Sequence, residues 1–512
     1  MDAKSEVEMV DVAIIGGGPT GLFTGLLLSS LGVSVRVLDA KPQSLELGRA
    51  DALNARTQQY FEVANLLDRL LPRGVKCNTS STFGEGKFKS RQNDWWVGLE
   101  HTFHKNFLML GQPVIEKVLS DELKSAVHYG EQVISARELD NEVEIVTASG
   151  RRVRSRFAVG ADGAKSIVRK EMGVSFTGTK PGMLWAVLDT FIDTDFPCCP
   201  EIITFELNGQ SRVSWIPRER GLCRFYVLLD GEVTQERAQE SIKRHMAPHR
   251  VEFTKTEWYS TFDVKERVAS SFISKQGRLI LAGDAAHVHS VNGGQGLNTG
   301  IADAFSLAWR LATVIQNKNL KPKAANKLIK SYDAERRGTA QNVIDVAAKL
   351  VRETVNEAKK YVGTIERSAD YITGMGVSYE TFDSSLVWAS EHGIWKAGHR
   401  CPDVALQTAY GKNTQFYSET SYGKYHVLLI GSHPSSDVGH GDVAAIYRIS
   451  PAKTTSSEGS LSAFGAARQF QANWAKDGDS FVVVVRPDMY IGYVGKDVDS
   501  CKLYLDFLYT GA

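Results

Sequence analysis

Several short stretches bring together residue types that could do chemistry. Gly16-Gly17-Gly18-Pro19-Thr20-Gly21 has the spacing G-x-G-x-x-G. In that pattern the first glycine allows a tight turn, the second lets the backbone approach a pyrophosphate, and the third lets a helix pack closely on a strand. Asp39, 18 residues beyond Gly21, stands where a carboxylate can bond a ribose hydroxyl. Arg49, Asp51 and Arg56 crowd the stretch Leu47 to Thr57, which reads either as a solvated loop or as chain passing a bound cofactor. Gln112 opens a helix, as a simple cap or as an amide facing a ligand. Asp162-Gly163 closes a strand, and Ser166, Val168 and Arg169 begin the next helix. Arg218 stands in a turn before a strand with Arg224, Tyr226 and Leu228 on one face; by sheet propensity alone Tyr226 reads as a packed residue. Gly283-Asp284 is followed by His287, His289 and Gly293-Gly294-Gln295-Gly296-Leu297-Asn298. Those glycines leave N–H groups free for a phosphate or a flat polar ring. The two histidines have only Asp284 at ligand spacing, so they read as structural and no metal site is expected.

The elements that must position these residues follow from hydrophobic period. Val10 to Ile15 is a buried strand, Leu22 to Leu31 a helix ended by Gly32, and Val33 to Leu38 a second strand closed by Asp39, which together make a βαβ unit. Helices are expected over Thr57 to Leu70, Val114 to Ala126 and Asp303 to Val314, with a long one after Tyr332. Met183 to Phe191, Glu201 to Leu207, Arg212 to Ile216, Leu222 to Leu229 and Thr256 to Phe262 alternate with period two, as in an antiparallel sheet with one covered face. Near the C-terminus, Tyr425 to Gly431 and Phe481 to Val485 read as strands, with a helix from Leu461 to Ala475 between them. Arg486-Pro487-Asp488 reads as a turn into an edge strand, and Ser500 to Tyr509 as a last helix. These C-terminal residues form a separate small domain.

Bulk properties exclude some classes. A net charge of +1 gives no reason to expect nucleic acid or an anionic membrane as partner. The acidic start lacks the basic flank and apolar core of a signal peptide, and no run approaches the ~18 apolar residues of a membrane span. Six cysteines without any C-x-x-C fit neither a disulfide framework nor a zinc site, so a reducing, cytoplasmic setting is expected.

Gly16-x-Gly18-x-x-Gly21, Asp162-Gly163 and Gly283-Asp284 stand in the order and spacing of the flavin-dependent aromatic hydroxylases with a single FAD-binding domain, which the chain resembles from about residue 8 to residue 350. Gly48-Arg49-Ala50-Asp51, Ile216-Pro217-Arg218-Glu219 with Arg224-Phe225-Tyr226, and Gly376-x-x-Tyr379, Ser385-Leu386-Val387 and Gly398-His399-Arg400-x-Pro402 are similar to the phenol hydroxylase branch. The resemblance implies a mixed α/β (α+β) chain: a Rossmann-type FAD-binding domain over 1–180 with 265–362, an inserted antiparallel-sheet substrate domain over 181–264, a linker over 363–400, and a thioredoxin-like domain over 401–512 that lacks C-x-x-C. It implies Gly16, Gly18, Thr20 and Gly21 at the pyrophosphate, Asp39 at the adenosine ribose, Gln112 against the flavin, and Arg49 among the cofactor-binding residues. Asp162 would support the pyrophosphate region, Asp284 the ribityl chain, and Gly296, Leu297 and Asn298 the pyrimidine edge.

The same resemblance makes Asp51, Arg218 and Tyr226 the catalytic trio. Asp51 would take the phenolic proton, Tyr226 would bond the substrate oxygen, and Arg218 would hold Asp51 ionised and orient Tyr226. The implied activity is NAD(P)H-consuming hydroxylation of a small aromatic molecule with molecular oxygen, through a flavin hydroperoxide, by a homodimer. The same cofactor chemistry giving Baeyer–Villiger oxidation or epoxidation of a secondary metabolite is the sibling reading, and a flavin oxidase or reductase is the reading of another class. One departure stands out: Val291 occupies the place where the family often has a proline.

Overall fold

The first strand is Glu8–Ile15 in the computed structural model, which describes residues 7–93, 99–197, 200–290, 294–356, 364, 367–433, 437–452 and 467–510. Val12, Ala13 and Ile14 are fully buried, because this strand is flanked on both sides by parallel strands, Val35–Asp39 and Arg152–Gly160. A strand covered on both faces needs a continuous apolar run rather than alternation. The motif helix, Pro19–Ser30, starts on a proline, whose missing N–H costs a helix nothing at that position. It ends on Gly32 at φ +78, with Gly32 N–H donated to Ser29 O and Val33 N–H to Leu28 O, a left-handed cap only glycine forms without strain.

The nucleotide-type sheet runs Val127–Tyr129, Val35–Asp39, Glu8–Ile15, Arg152–Gly160, Val143–Thr147, Val133–Glu138. Its Arg152–Gly160 strand changes partners midway: the first half pairs antiparallel with Val143–Thr147, the second half parallel with Leu279–Leu281. That switch delivers the Asp162-Gly163 and Gly283-Asp284 turns to the same end of the sheet as Gly16.

A second, seven-stranded sheet forms a roof. Its order is Val251–Asp263, Leu184–Thr194, Cys223–Leu228, Gln210–Pro217, Glu201–Leu207, Thr79–Gly84, Lys87–Gln92. Two of its strands thus come from well before residue 181. One face is covered by helix Gln235–Met246, whose Ala238, Ile242 and Met246 pack on Ile203, Phe205, Trp215, Phe225 and Val227. The sequence reading passed over this helix, although Thr234 caps it and its buried residues recur at helical spacing.

Other expectations are corrected. The helix expected from Asp303 begins at Gln295. A β-carbon on Gly300 would meet the Thr20 hydroxyl, so this glycine inside the helix serves close packing of two helices. The helix expected over Thr57 to Leu70 is two, Ala55–Val63 and Leu67–Leu70, parted at Asn65, whose φ is +57. The helix expected over Leu461 to Ala475 is contradicted at Arg468–Ala472, a strand parallel to Tyr447–Pro451; residues 461–466 lie outside the described ones. Phe470 and Ala472 are buried while Gln469 and Gln471 are only half-buried, which is the period of a strand. Val291, Asn292 and Gly293 also lie outside the described residues.

The C-terminal sheet runs Asn413–Gln415, Ala405–Thr408, Arg468–Ala472, Ala444–Pro451, Tyr425–Gly431, Ser480–Val485, Ile491–Gly495. It is tied to the long helices Gln295–Gln316 and Pro322–Asn356 by a fully buried, charge-balanced network. Arg486 grips Glu335 through two bonds of 2.7 Å and Asp488 at 2.6 Å, while Arg310 reaches Glu335 at 2.6 Å and Asp488 at 3.1 Å. Trp309 also donates to Asp488. Burial pushes the Asp488 carboxyl up, but Arg486 and Arg310 outweigh it and hold it below the usual range. Among the described residues no helix is long and apolar enough to cross a membrane, and no cluster of three His, Cys, Asp or Glu could hold a metal.

Candidate active site

The cradle is built from glycines that meet different neighbours. A β-carbon at Gly16, which has φ +109, would collide with the Ala161 carbonyl, and one at Gly21 with the Gly16 carbonyl. At Gly18 a β-carbon would meet nothing within 4 Å, and the helix behind it has no side-chain cap. Free N–H groups and the helix dipole therefore face open space, as an anion site requires. Asp39 accepts the Gly17 N–H, the Lys41 N–H at 2.7 Å and the Lys41 ammonium at 3.0 Å. Because Gly18 has an ordinary φ of −82, Gly18→Val is expected to fold normally while weakening FAD binding by about tenfold or more; titration of apoprotein with FAD beside a thermal melt checks both halves.

The Gly283-Asp284 turn is held from beneath. Asp303, fully buried, accepts the Gly283 N–H at 2.9 Å, pairs with His287 at 2.7 Å and with Arg336 at 2.8 Å. Burial raises its carboxyl, yet His287 and Arg336 win and keep it below the ordinary value. A depressed folded value gives stability that is present above the unfolded value, near 4, and lost as pH falls through the folded one. Asp303→Asn is expected to lose about 1.5–3 kcal/mol at neutral pH and to flatten the acid limb of the stability curve; urea unfolding across pH measures this. Asp284 itself is exposed, yet desolvation by its surroundings holds its carboxyl above the ordinary value, only partly offset by His287 and Arg49.

The Asp162 Oδ2 accepts the N–H groups of Ile167 and Val168, capping a helix, while its Oδ1 is buried without a partner. Arg169 latches the two turns together, donating to Ala164 O and Ala285 O at 2.7 Å each. Helix Gln295–Gln316 also starts without a side-chain cap, from Gly294 at φ +63. A β-carbon at Gly296 would touch only the His289 ring, at 4.0 Å. Leu297 is buried. Asn298 accepts the Asn54 N–H at 2.9 Å and donates to Ala52 O and Gly294 O. Two uncapped helix starts, two bare glycines and an orphaned carboxylate oxygen converging on one cleft fit FAD, with its pyrophosphate and its flat polar ring.

Gln112 does not present a free amide. Its side chain accepts the Ala50 N–H at 3.2 Å and donates to Glu116, and its own N–H bonds Ala50 O. It thereby holds the Arg49–Asp51 segment. Arg49 is exposed and adopts φ +68, a left-handed conformation that is costly for a side chain of this kind and that turns its carbonyl to Arg224.

The roof contributes the other half. Register sets Asp189 opposite Arg224, Val187 opposite Tyr226 and Ser214 opposite Tyr226, so Arg224, Tyr226 and Asp189 share the face away from the covering helix. Tyr226 donates to the buried Asp51 carboxylate at 3.3 Å. Removal from solvent, then the Asp51 charge, pushes the Tyr226 phenol well above its usual value, so it stays protonated and donates. Arg224, fully buried, forks onto both oxygens of Asp189 at 2.6 Å and reaches Asp51 at 3.4 Å.

The structure brings Asp51 and Tyr226 together and does not give Arg218 its expected partners. Arg218 pairs with Glu219 at 2.7 and 2.9 Å and with Asp189 at 3.5 Å; Arg224 stands beside Asp51 and Tyr226 in its place. The sequence put Arg224 on the right face, but its partners lie on another strand and at Arg49, which spacing along one strand does not reveal.

The FAD binding domain family matches residues 9–347. A phenol 2-monooxygenase of Aspergillus fumigatus is 29% identical over 473 residues, covering 84% of this chain and 77% of that one. A rifampicin monooxygenase of Streptomyces venezuelae is 31% identical over 420 residues, covering 78% and 84%. The flavin-dependent monooxygenase PieE, solved with FAD and substrate, superposes with a TM-score of 0.76 at 18% identity over 98% of each chain, a likeness of fold.

Proposed function

We infer, for a chain that belongs to the FAD binding domain family and is an FAD-dependent monooxygenase, that its substrate is a phenol hydroxylated beside Asp51 and Tyr226. The observation that carries this reading is a buried carboxylate paired with a protonated tyrosine and backed by Arg224, linked to the cofactor cleft through the Asn298 bond to Ala52. Bound FAD supplies, once reduced, the activation of molecular oxygen; NAD(P)H is the reductant in this reading. Asp51 accepts the phenolic proton, directly or through water, and makes the ring more nucleophilic. The Tyr226 Oη–H turns to the substrate oxygen. Arg224 offsets the charge Asp51 brings to a buried place, while Arg218 acts one step back, through Asp189. The roof sheet excludes water above them.

A large secondary metabolite carrying such a ring, with Baeyer–Villiger or epoxide products as the sibling outcome, is favoured by the likeness to a rifampicin monooxygenase. The division into an FAD-binding domain, a roof domain and a C-terminal domain belongs to the same reading, as do a homodimer and a cytoplasmic location. The C-terminal strand order Ala444–Pro451, Tyr425–Gly431, Ser480–Val485, Ile491–Gly495, with the first pair parallel and the others antiparallel, supports a thioredoxin-like core.

Anaerobic reduction of the bound flavin by NADPH, followed at its visible band with and without a panel of phenols, tests the proposal. Acceleration by particular phenols, with labelled dioxygen entering their products, is expected. Fast reduction indifferent to every phenol, with no label incorporated, would overturn it.

A further inference from the structure

Arg56 lies five residues beyond Asp51, in helix Ala55–Val63, and its side chain points away from the site into the C-terminal sheet. It is buried. Nη1 donates to the Tyr417 hydroxyl at 2.8 Å and to Gln59 at 2.9 Å; Nη2 donates to Met489 O at 3.1 Å and Asp488 O at 3.4 Å. The rings of Tyr60 and Tyr490 stand 4.6 and 5.1 Å from its guanidinium carbon. Tyr417 is fixed in turn, donating to Cys401 O at 2.6 Å and giving its N–H to Asp403.

The N-cap beside it, at the same end of this short helix, is equally tied. Asn54 caps it, accepting the Thr57 N–H, while its own N–H goes to Asn298 and its amide to Ile372 O. Asn298 returns a bond to Ala52 O and holds Gly294 O at the start of the long helix. A path of hydrogen bonds and covalent backbone therefore runs from Met489 and Tyr417 through Arg56 and the adjoining Asn54 to Ala52, next to Asp51, and to the cofactor-facing helix start.

We propose that Arg56 is a positioning residue through which the C-terminal sheet sets the placement of Asp51 and of the Gly294–Asn298 helix start. A mobile aliphatic side chain there would leave the Asp51 segment its bonds to Gln112, Leu110, Asn298, Arg224 and Tyr226 but cut its tie to Tyr417 and Met489. Only its consequence for turnover rests on the reading of Asp51 as a base.

Hydrogen exchange of the FAD-loaded enzyme decides it, read at the N–H groups of Asn54, Leu110 and Gln112, which bond Asn298, Asp51 O and Ala50 O. Arg56→Met is expected to speed their exchange about tenfold, Tyr417→Phe about threefold, and Arg56→Lys to rescue part of the loss. Tyr422→Phe is the control, since Tyr422 ties the C-terminal sheet to Phe305 O and the Trp309 N–H, away from Asp51; it is expected to leave the three groups unchanged. Should Arg56→Met not fold, Tyr417→Phe and Arg56→Lys carry the test. Unchanged exchange in those variants, or equal acceleration by Tyr422→Phe, overturns the proposal. Because no turnover enters this readout, it stands apart from the failure of any phenol to react.

Discussion

Asp51→Asn is expected to keep FAD bound and the fold intact while product formation falls about 10²–10⁴-fold. The side chain is buried, so substitutions here usually threaten stability, but the local charges predict tolerance. The cluster holds two cations, Arg218 and Arg224, against three carboxylates, Asp51, Asp189 and Glu219. Removing the Asp51 charge leaves two against two. Asparagine keeps an oxygen for the Tyr226 hydroxyl, and the backbone bond from Leu110 to the residue 51 carbonyl is untouched. What disappears is a group able to take a phenolic proton. Product analysis beside the visible flavin spectrum checks the two halves together; unchanged product formation with flavin bound would remove Asp51 from the mechanism.

Arg224→Met should have the largest effect on stability, on the order of 3–5 kcal/mol, because it strips one partner from a buried ion pair and leaves the other charges behind. Asp189 would lose both of its 2.6 Å bonds, and Asp51 its nearest cation. The Arg49 carbonyl would lose the donor that rewards its left-handed backbone. Arg224→Lys restores charge but not the planar fork, so it should recover part of the stability and little of the turnover. Chemical unfolding of both variants, with product formation at several pH values, separates loss of fold from loss of placement. A midpoint for Arg224→Met equal to that of the parent would show that Arg218, 3.5 Å from Asp189, is counter-charge enough.

The legibility of this chain divides by distance along the sequence. Residues 10 to 39 were readable because strand, glycine turn, helix and second strand are contiguous, and each is set by local periods and by the conformational freedom of glycine. The roof strands from 184 to 263 were readable for the same reason, including which face carries Arg224 and Tyr226. Helix Gln235–Met246 also carried a local signal, with its Thr234 cap, and was missed as a matter of pattern.

The helix start at Gln295 could not be read locally. Gly300, a residue that weakens an isolated helix, fits there by close approach to Thr20 on a distant helix. The strand at Arg468–Ala472 exists because parallel pairing with Tyr447–Pro451 gives its backbone partners. The charge pattern of the site was decided in the same way. Arg218 and Arg224 are six residues apart and both reach toward Asp189 from one side of the roof. Residue types alone allow either to stand beside Asp51. Strand register, the turn at Arg218 and the orientation of the Arg49 carbonyl chose Arg224. The sequence by itself determined the first βαβ unit, the roof strands and the cofactor motif. Only the tertiary structure decided which buried charge faces which, because that depends on register and close packing between segments far apart in the chain, 35 residues for Asp189 and Arg224 and 175 for Asp51 and Tyr226.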